Sequence, residues 1–219
     1  ISAAYSELKR MSITKCSFVI DHLNDASALR ILIETLSYLN YEFDQLKTKK
    51  RKYALEKVDF VTASVAASHD LRVASNIAAG QSYMRDLQNL PANICNTDYL
   101  KNQAIEIAKL SNKLTVTVLD LSKLQELKMG CLLGVAQGSA MPPYVVCLEY
   151  RGGNPGDAPI VLVGKGLVFD TGGVDLKPAA GMPDMKMDMS GAASVLATIK
   201  TIAALELSIN VVGVIGVVE

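Results

Sequence analysis

The sequence has no excess of charge of either sign. Its 219 residues contain 22 lysines and arginines against 22 aspartates and glutamates, so the formal net charge is zero. A balance of this kind gives no support to nucleic-acid binding through net charge. Half of the residues are hydrophobic, which excludes a disordered or collagen-like chain. The length indicates one large domain or one and a half.

Long apolar runs are also missing. The longest, at 211–218, is far shorter than the ~18 residues that a membrane helix needs. The first residues, ISAAYSELKR, lack the apolar segment of a secretory signal peptide. We therefore expect a cytoplasmic protein with no membrane partner. Because the chain begins without methionine and stops directly after an apolar run, we also expect both of its ends to be cut.

The few cysteines show no C-x-x-C spacing, which disfavours a zinc knuckle or a disulfide framework. Three of the four have apolar neighbours, as is typical of reduced thiols in a cytosolic core. The cysteines are Cys16, Cys95, Cys131 and Cys147.

The N-terminal part begins with a predicted strand and helix. The apolar run at 16–20 indicates a strand, and leucines and isoleucine recurring at i, i+3, i+4 and i+7 predict a helix capped by Asn24 or Asp25. The helix leads into the only dense charge block, KTKKRK at 47–52. Without accompanying aromatic residues, this block is more typical of a solvated linker than of a nucleic-acid site.

The remaining sequence alternates between helical and strand patterns. Thr97 is predicted to cap a helix over 98–111. Ser122 and Gln125 fit a capping box for a short helix that ends at Gly130. This alternation predicts an α/β fold with a layered, mixed and largely parallel sheet flanked by helices. The other predicted helices cover 64–89 and 190–206, and the predicted strands cover 114–119, 144–150, 160–163 and 209–218, of which 144–150 and 160–163 have the apolar pattern of strands buried on both faces.

The connection over 164–187 is unusual because it far exceeds the ~4–6 residues of a typical loop. It is rich in glycine and charged residues, although core strands are predicted on both sides. In open α/β sheets, ligands bind beyond the carboxyl ends of the strands, where this connection begins. A functional site is therefore predicted here.

The chemistry of this site can be narrowed by elimination. Neither nucleotide-binding glycine motif is complete, because the third glycine of G-x-G-x-x-G is replaced by Phe169 and no G-x-x-x-x-G-K-[ST] occurs. No G-x-S-x-G serine motif occurs either, and both histidines, His22 and His69, lie far upstream. Carboxylates and lysines remain, a set suited to metal-assisted hydrolysis. They are Lys165, Asp170, Asp175, Lys177, Asp184, Lys186 and Asp188.

Each of these residues also has a purely structural interpretation. Asp170 precedes Thr-Gly-Gly and is a common turn former. Asp188 lies just before a predicted helix, where the helix dipole favours an acidic residue. Lys165 and Lys177 would ordinarily be solvated surface charges. The methionines of the connection would ordinarily fill gaps in a core; they are Met182, Met185, Met187 and Met189.

Two motifs favour the functional interpretation of these residues over the structural one. VGKGLVFDTGGVDLKP followed by MKMDMSGAASV resembles the metal-binding core of the leucyl aminopeptidase (cytosol aminopeptidase) family. NLPANICN and YEFDQLKTKK resemble segments of bacterial members of that family. The resemblance implies that residues 1–65 are the C-terminal part of an N-terminal α/β domain plus the basic linker. Residues 66–219 would then be a connecting helix and the first half of the catalytic domain.

The resemblance also implies a dinuclear metallo-exopeptidase and a role for each matching residue. Asp170 would bridge two divalent ions, Mn²⁺ or Zn²⁺, while Lys165 and Asp188 would bind one of them. Asp188 would also help to hold the α-amine of the peptide substrate. Lys177 would be catalytic by hydrogen-bonding the scissile carbonyl, and Met185 would line the pocket for the first side chain, favouring leucine and other apolar residues. A homohexamer is implied for the complete enzyme.

One departure from the family is serious. The family's N-T-D-A-E-G-R segment, which supplies a second aspartate, a bridging glutamate and an arginine that holds bicarbonate, does not occur in these residues. We therefore expect that the chain carries only part of the site and is inactive alone. The competing hypothesis is a non-catalytic scaffold or subunit-contact module that keeps the fold. A nucleic-acid-binding module has the least support.

Overall fold

The computed structural model describes residues 1–20, 26–50, 53, 55–62 and 67–219. These residues form two compact units, Ile1–Ser82 and Tyr83–Glu219. The predicted cap at Asn24 or Asp25 and the end of the basic block, at 51–52, lie outside the described residues.

The described residues of the first unit form two helices and two strands, followed by the first part of a long helix. β1 pairs in parallel with β2, and Phe18 stacks on Phe60 across this pair with 6.2 Å between the ring centroids. The predicted apolar stripe of α2, namely Leu29, Leu32, Ile33 and Leu36, is buried in the core of this unit. The elements are α1 (Ser2–Arg10), β1 (Lys15–Val19), α2 (Ala26–Asn40), β2 (Lys57–Val61) and α3 (Ala67–Asn89).

The second unit is built around a four-stranded mixed sheet in the order β3-β4-β6-β5. β4 runs antiparallel to both β3 and β6, whereas β5 and β6 are parallel. The α/β fold with flanking helices is thus confirmed, although the parallel share of this sheet is smaller than predicted. The elements are α4 (Thr97–Ala108), β3 (Leu114–Leu119), α5 (Leu121–Glu126), α6 (Gly130–Ala136), β4 (Tyr144–Arg151), β5 (Ile160–Leu167), a 3₁₀ helix (Met182–Met187), α7 (Ser190–Ala204) and β6 (Asn210–Val218).

Helices cover both faces of β6. Gly213 faces the side chains of Val195 and Ile199 on α7, whereas Gly216 faces Leu132 on α6. Because residues three positions apart in a strand point to opposite faces, α6 and α7 lie on opposite sides of the sheet. Because glycine has no side chain, the helices can pack closely on the strand. The core of the unit forms between these helices and the sheet.

The helix caps differ from those predicted. α4 is capped by Asn96, whose side chain accepts a hydrogen bond from the Tyr99 backbone N–H at 2.9 Å, while Thr97 is the first helical residue. α5 is capped by Asp120, which accepts from Lys123 N–H at 3.0 Å, rather than by a capping box starting at Ser122. Asn and Asp are at least as good N-caps as Ser and Thr, and each precedes the predicted residue.

Two further predictions in this unit were wrong. The short helix ends at Glu126, and Gly130 begins α6 instead of ending α5. Strand β5 is not buried on both faces, since the side chains of Val161 and Val163 are 56% and 78% exposed. The reason is that β5 is the edge strand of the described sheet, with β6 as its only described neighbour.

The cysteines differ in burial, since Cys95 is buried whereas Cys131 is exposed. All four cysteines are free thiols. Within the described ranges, no helix has the length and apolar character needed to cross a bilayer.

Candidate metal centre

The predicted site begins where β5 ends. Val168 continues the pairing of β5 by donating its N–H to the Val218 carbonyl at 2.9 Å, and its side chain is fully buried. Phe169 and Asp170 follow directly, so Asp170 lies at the carboxyl edge of the parallel pair. This is the position at which open α/β sheets bind ligands.

Both carboxylate oxygens of Asp170 have partners. Oδ1 accepts a hydrogen bond from the Gly172 N–H at 2.8 Å, which forms a tight turn. Gly172 has φ +99°, and a Cβ there would lie 3.0 Å from the Lys177 backbone nitrogen. Oδ2 forms an ion pair with Lys177 Nζ at 2.7 Å. Asp170 therefore has both roles: it forms a turn, as the purely structural interpretation expects, and it belongs to a charged cluster.

Lys177 connects Asp170 to the 3₁₀ helix. Its backbone N–H donates to the Thr171 carbonyl at 2.9 Å, and its Nζ lies 2.9 Å from the Met185 sulfur as well as close to Asp170. Its side chain is 33% exposed. Lys177 is thus held between two residues that the sequence also placed in the site, rather than being a free surface charge.

Asp188 faces the lysine at the end of β5. Lys165 Nζ lies 2.8 Å from Asp188 Oδ2, with side-chain exposures of 59% and 20%. The approach lacks the angular geometry of a hydrogen bond, so this buried oxygen has no hydrogen-bond partner. Asp188 does not cap α7 either. The N-cap residue of α7 is Met189, whose side chain makes no capping hydrogen bond. A buried carboxylate oxygen is costly unless a cation balances it, and the ammonium group of Lys165 supplies that charge here.

The electrostatics keep Asp170 ionised. The hydrogen bond from Lys177 is the main reason that the pKa of Asp170 lies below its ordinary value, and the bond from Gly172 N–H lowers it further. Asp188 lies close to the same carboxyl group, and partial burial opposes the lowering of the pKa. Because metals bind deprotonated ligands, a carboxyl group with a lowered pKa is well suited to hold a cation.

A pair of glycines brings Lys165 and Asp188 together. A Cβ on Gly164 would lie 2.6 Å from the Gly191 carbonyl oxygen, and one on Gly191 would lie 2.7 Å from the Lys165 nitrogen. Only residues without side chains permit such contact between β5 and the start of α7. This contact was not predicted from the sequence. The feature that could have indicated it is a glycine in each motif at a position outside any turn.

The other charged residues of the connection are arranged differently. Asp175 and Asp184 are exposed, and Lys186 donates to the Asn89 carbonyl outside the cluster. Across the described part of the chain, no three His, Cys, Asp or Glu side chains gather in a group that could hold a metal. The cluster instead combines two carboxylates with two lysines.

A cavity of about 770 Å³ lies beside Asp170. Residues 170–173 form one wall, and Gly134 and Val135 of α6 form another. This volume is within the range of sites for small organic ligands. A second cavity, of about 480 Å³, is lined by residues of the 151–159 turn and by Asn210, whose side chain is occupied with backbone groups of that turn.

Comparison of the sequence with known proteins identifies the family of this chain. Residues 82–219 match the model of the cytosol aminopeptidase family, catalytic domain. A probable cytosol aminopeptidase of Pseudomonas syringae pv. syringae (strain B728a) is 42% identical over 228 aligned positions, which cover 100% of this chain and 46% of the relative. The cytosol aminopeptidase of Pseudomonas aeruginosa (strain PAO1) is 43% identical over 227 positions, with coverages of 100% and 46%. The chain thus spans about half the length of these relatives.

A solved structure supports the same grouping. The bottromycin maturation enzyme BotP, determined in complex with Mn, matches with a TM-score of 0.84 and 28% sequence identity. The match covers 100% of this chain and 47% of BotP. Together with the family match over 82–219, it shows that the chain belongs to the cytosol aminopeptidase family.

Proposed function

We propose that the protein containing this chain is a metal-dependent aminopeptidase that hydrolyses the N-terminal residue from peptides, with a preference for leucine and other apolar residues. The observation that carries the proposal is the cluster at the end of β5. There Asp170 and Asp188 each face an ammonium group, at 2.7 and 2.8 Å. The family assignment and the similarity to cytosol aminopeptidases support the reaction class.

The donor set fits divalent metal ions. Asp170 is held ionised, and Asp188 has a buried oxygen without a hydrogen-bond partner. Lys165 could join them as a ligand once its amine loses the proton, because only the neutral amine has a lone pair. We propose two divalent ions, Mn²⁺ or Zn²⁺; Asp170 would serve both of them, and Lys165 and Asp188 would serve one. The Mn in the BotP complex supports manganese. When bound, such ions supply Lewis acidity that polarises a carbonyl group.

The remaining roles belong to side chains of this chain. Lys177 is proposed to donate a hydrogen bond to the carbonyl oxygen of the scissile peptide bond, where negative charge develops during hydrolysis. Asp188 is proposed to accept a hydrogen bond from the α-amine of the substrate, which restricts cleavage to the first residue. Met185, already in contact with Lys177, would line the pocket for the first side chain.

We further propose that residues 1–219 carry only part of the site. The chain spans 46% of its relatives, and the described residues do not assemble three carboxylate, imidazole or thiolate ligands. The other metal ligands and the arginine for bicarbonate would therefore come from sequence outside these residues. The division into 1–65 and 66–219, a cytoplasmic location and a homohexameric assembly remain proposals that the family resemblance supports.

The function can be tested on the protein at its full natural length. Leucine release from leucyl amide should require added Mn²⁺ or Zn²⁺ and should stop when the metal is chelated. N-acetyl-leucyl amide is the matched control, since it keeps the bond and the side chain but lacks the free amine. Absence of leucine release with every divalent ion tested would contradict the proposal and favour the non-catalytic scaffold.

A further inference from the structure

The C-terminal part of α3 is attached to the segment that carries the site at three places. Lys200 Nζ of α7 lies 4.1 Å from the centroid of the Tyr83 ring, and the Ser194 hydroxyl oxygen lies 3.2 Å from the Met84 sulfur. The third contact lies outside α7. Lys186, in the 3₁₀ helix, donates from Nζ to the backbone carbonyl of Asn89 at 3.2 Å. All these residues belong to the second unit.

The partner of Lys186 is the last residue of α3. The final carbonyls of a helix lack intrahelical donors and carry the negative end of the helix dipole, so a cation is favourable there. The last turn of α3 contains no basic residue of its own. Lys186 therefore supplies, from another segment, the cation that this helix end favours. The Lys186 residue is half-buried.

Lys186 lies between two residues proposed to act in the site, one in the 3₁₀ helix and one at its C-terminal cap. Met185 precedes it, and Asp188 follows two positions later with its N–H donating to the Met185 carbonyl at 3.2 Å. The next residue, Met189, is fully buried. The backbone that presents Asp188 is thus fixed on one side by Met189 in the core and on the other by Lys186 on α3.

From this arrangement we propose that Lys186 is a positioning residue, which holds the 3₁₀ helix against the end of α3 so that Asp188 and Met185 face the cluster. The inference rests on the proposed function, because it assigns Lys186 to the placement of a metal ligand and of a substrate contact. Lys186 itself lies outside the cluster, with its Nζ on the Asn89 carbonyl. Its loss would let the 3₁₀ helix move away from Lys165 and Lys177, and displacements of this kind weaken preorganised sites.

The test compares Lys186→Met, Lys186→Arg and Lys200→Met in the full-length protein. Titration calorimetry with MnCl₂ alone measures metal affinity, and leucyl amide hydrolysis measures KM and kcat. Lys186→Met should raise the Kd for Mn²⁺ by about tenfold, at the lower end of the losses seen when partners that orient metal ligands are removed. With saturating Mn²⁺, the KM of Lys186→Met for leucyl amide should stay above the wild-type value, whereas its kcat should largely return to the wild-type value. Lys186→Arg keeps a cation for the Asn89 carbonyl and should restore both values.

Lys200→Met is the matched control because it removes a lysine contact between α7 and α3 without touching the 3₁₀ helix. It should lower the midpoint of thermal unfolding but leave the Kd for Mn²⁺ unchanged. Unchanged Mn²⁺ affinity in Lys186→Met, or an equal loss in Lys200→Met, overturns the inference. If Lys186→Met is recovered unfolded, Lys186→Gln takes its place with the same expectation. Wild-type protein that binds no Mn²⁺ would instead refute the proposed function, on which the inference depends.

Discussion

Lys177 Nζ lies 2.7 Å from Asp170 Oδ2, so the residue proposed to hydrogen-bond the substrate is paired with the residue proposed to bridge the metal ions. The pairing places a positive charge beside a carboxylate and holds it ionised. It also fixes the Lys177 side chain, since the same ammonium contacts the Met185 sulfur. Substitutions of the two partners should nevertheless have different effects, because one partner is expected to bind metal and the other is not.

Replacing Asp170 with alanine should abolish metal binding and activity together. A shared carboxylate influences both ions, so its removal leaves neither with a complete set of ligands. Elemental analysis of the purified full-length variant measures the metal content, and leucyl amide hydrolysis measures activity. Asp175→Ala, which removes an exposed carboxylate from the same connection, should change neither. Full metal occupancy in Asp170→Ala would show that the ligand assignment is wrong.

Replacing Lys177 with alanine should leave the metal content intact and lower kcat. We expect a loss of roughly 10²-fold or more, the scale observed when one oxyanion donor is removed. Metal analysis and steady-state kinetics on the same preparation provide the measurement. A parallel loss of metal and activity would assign Lys177 to the structure of the site instead of to the substrate carbonyl.

Replacing Gly164 with alanine should destabilise the second unit. The added Cβ would lie 2.6 Å from the Gly191 carbonyl oxygen, so α7 must move away from β5, at a cost of about 1–3 kcal/mol. Thermal unfolding should show a lower midpoint, and Mn²⁺ affinity should fall because Lys165 and Asp188 separate. Gly134→Ala is the control, since a Cβ in that helix meets no atom within 4 Å. That control should stabilise the helix by about 0.5–1 kcal/mol, and an unchanged midpoint in Gly164→Ala would show that the close approach is unimportant.

Residues 1–219 expressed alone should bind metal weakly, aggregate and show no aminopeptidase activity. Lys165, Asp170 and Asp188 supply too few ligands for two ions. The exposed valines of β5 lie on an edge strand, and unprotected apolar edges promote association. Light scattering and leucyl amide hydrolysis with added Mn²⁺ or Zn²⁺, beside the full-length protein, test both points. Activity within about tenfold of the full-length control, the equivalent of only 1.36 kcal/mol in barrier height, would mean that these residues contain the complete catalytic set.

Local patterns determined much of the fold. The apolar stripe of α2, the period-two alternation of β3 and the β-branched run of β6 each predicted the observed element, because helix and strand periodicity depends only on neighbouring residues. The positions of the caps were less certain. Asn96 and Asp120 lie one or two residues before the predicted caps, and neighbouring residues of similar capping strength cannot be ranked without the backbone geometry.

The sequence by itself also indicated a set of candidate site residues, through two motifs that resemble one family. Only the tertiary structure decided how they meet. The contact between Gly164 and Gly191, the pairing of Lys165 with Asp188, and the reach of Lys186 to Asn89 join residues that are 27, 23 and 97 positions apart. Exposure of β5 was likewise decided by its place at the sheet edge. Such contacts depend on the order of strands and on the packing of helices against them, and local patterns of hydrophobic residues do not contain that information.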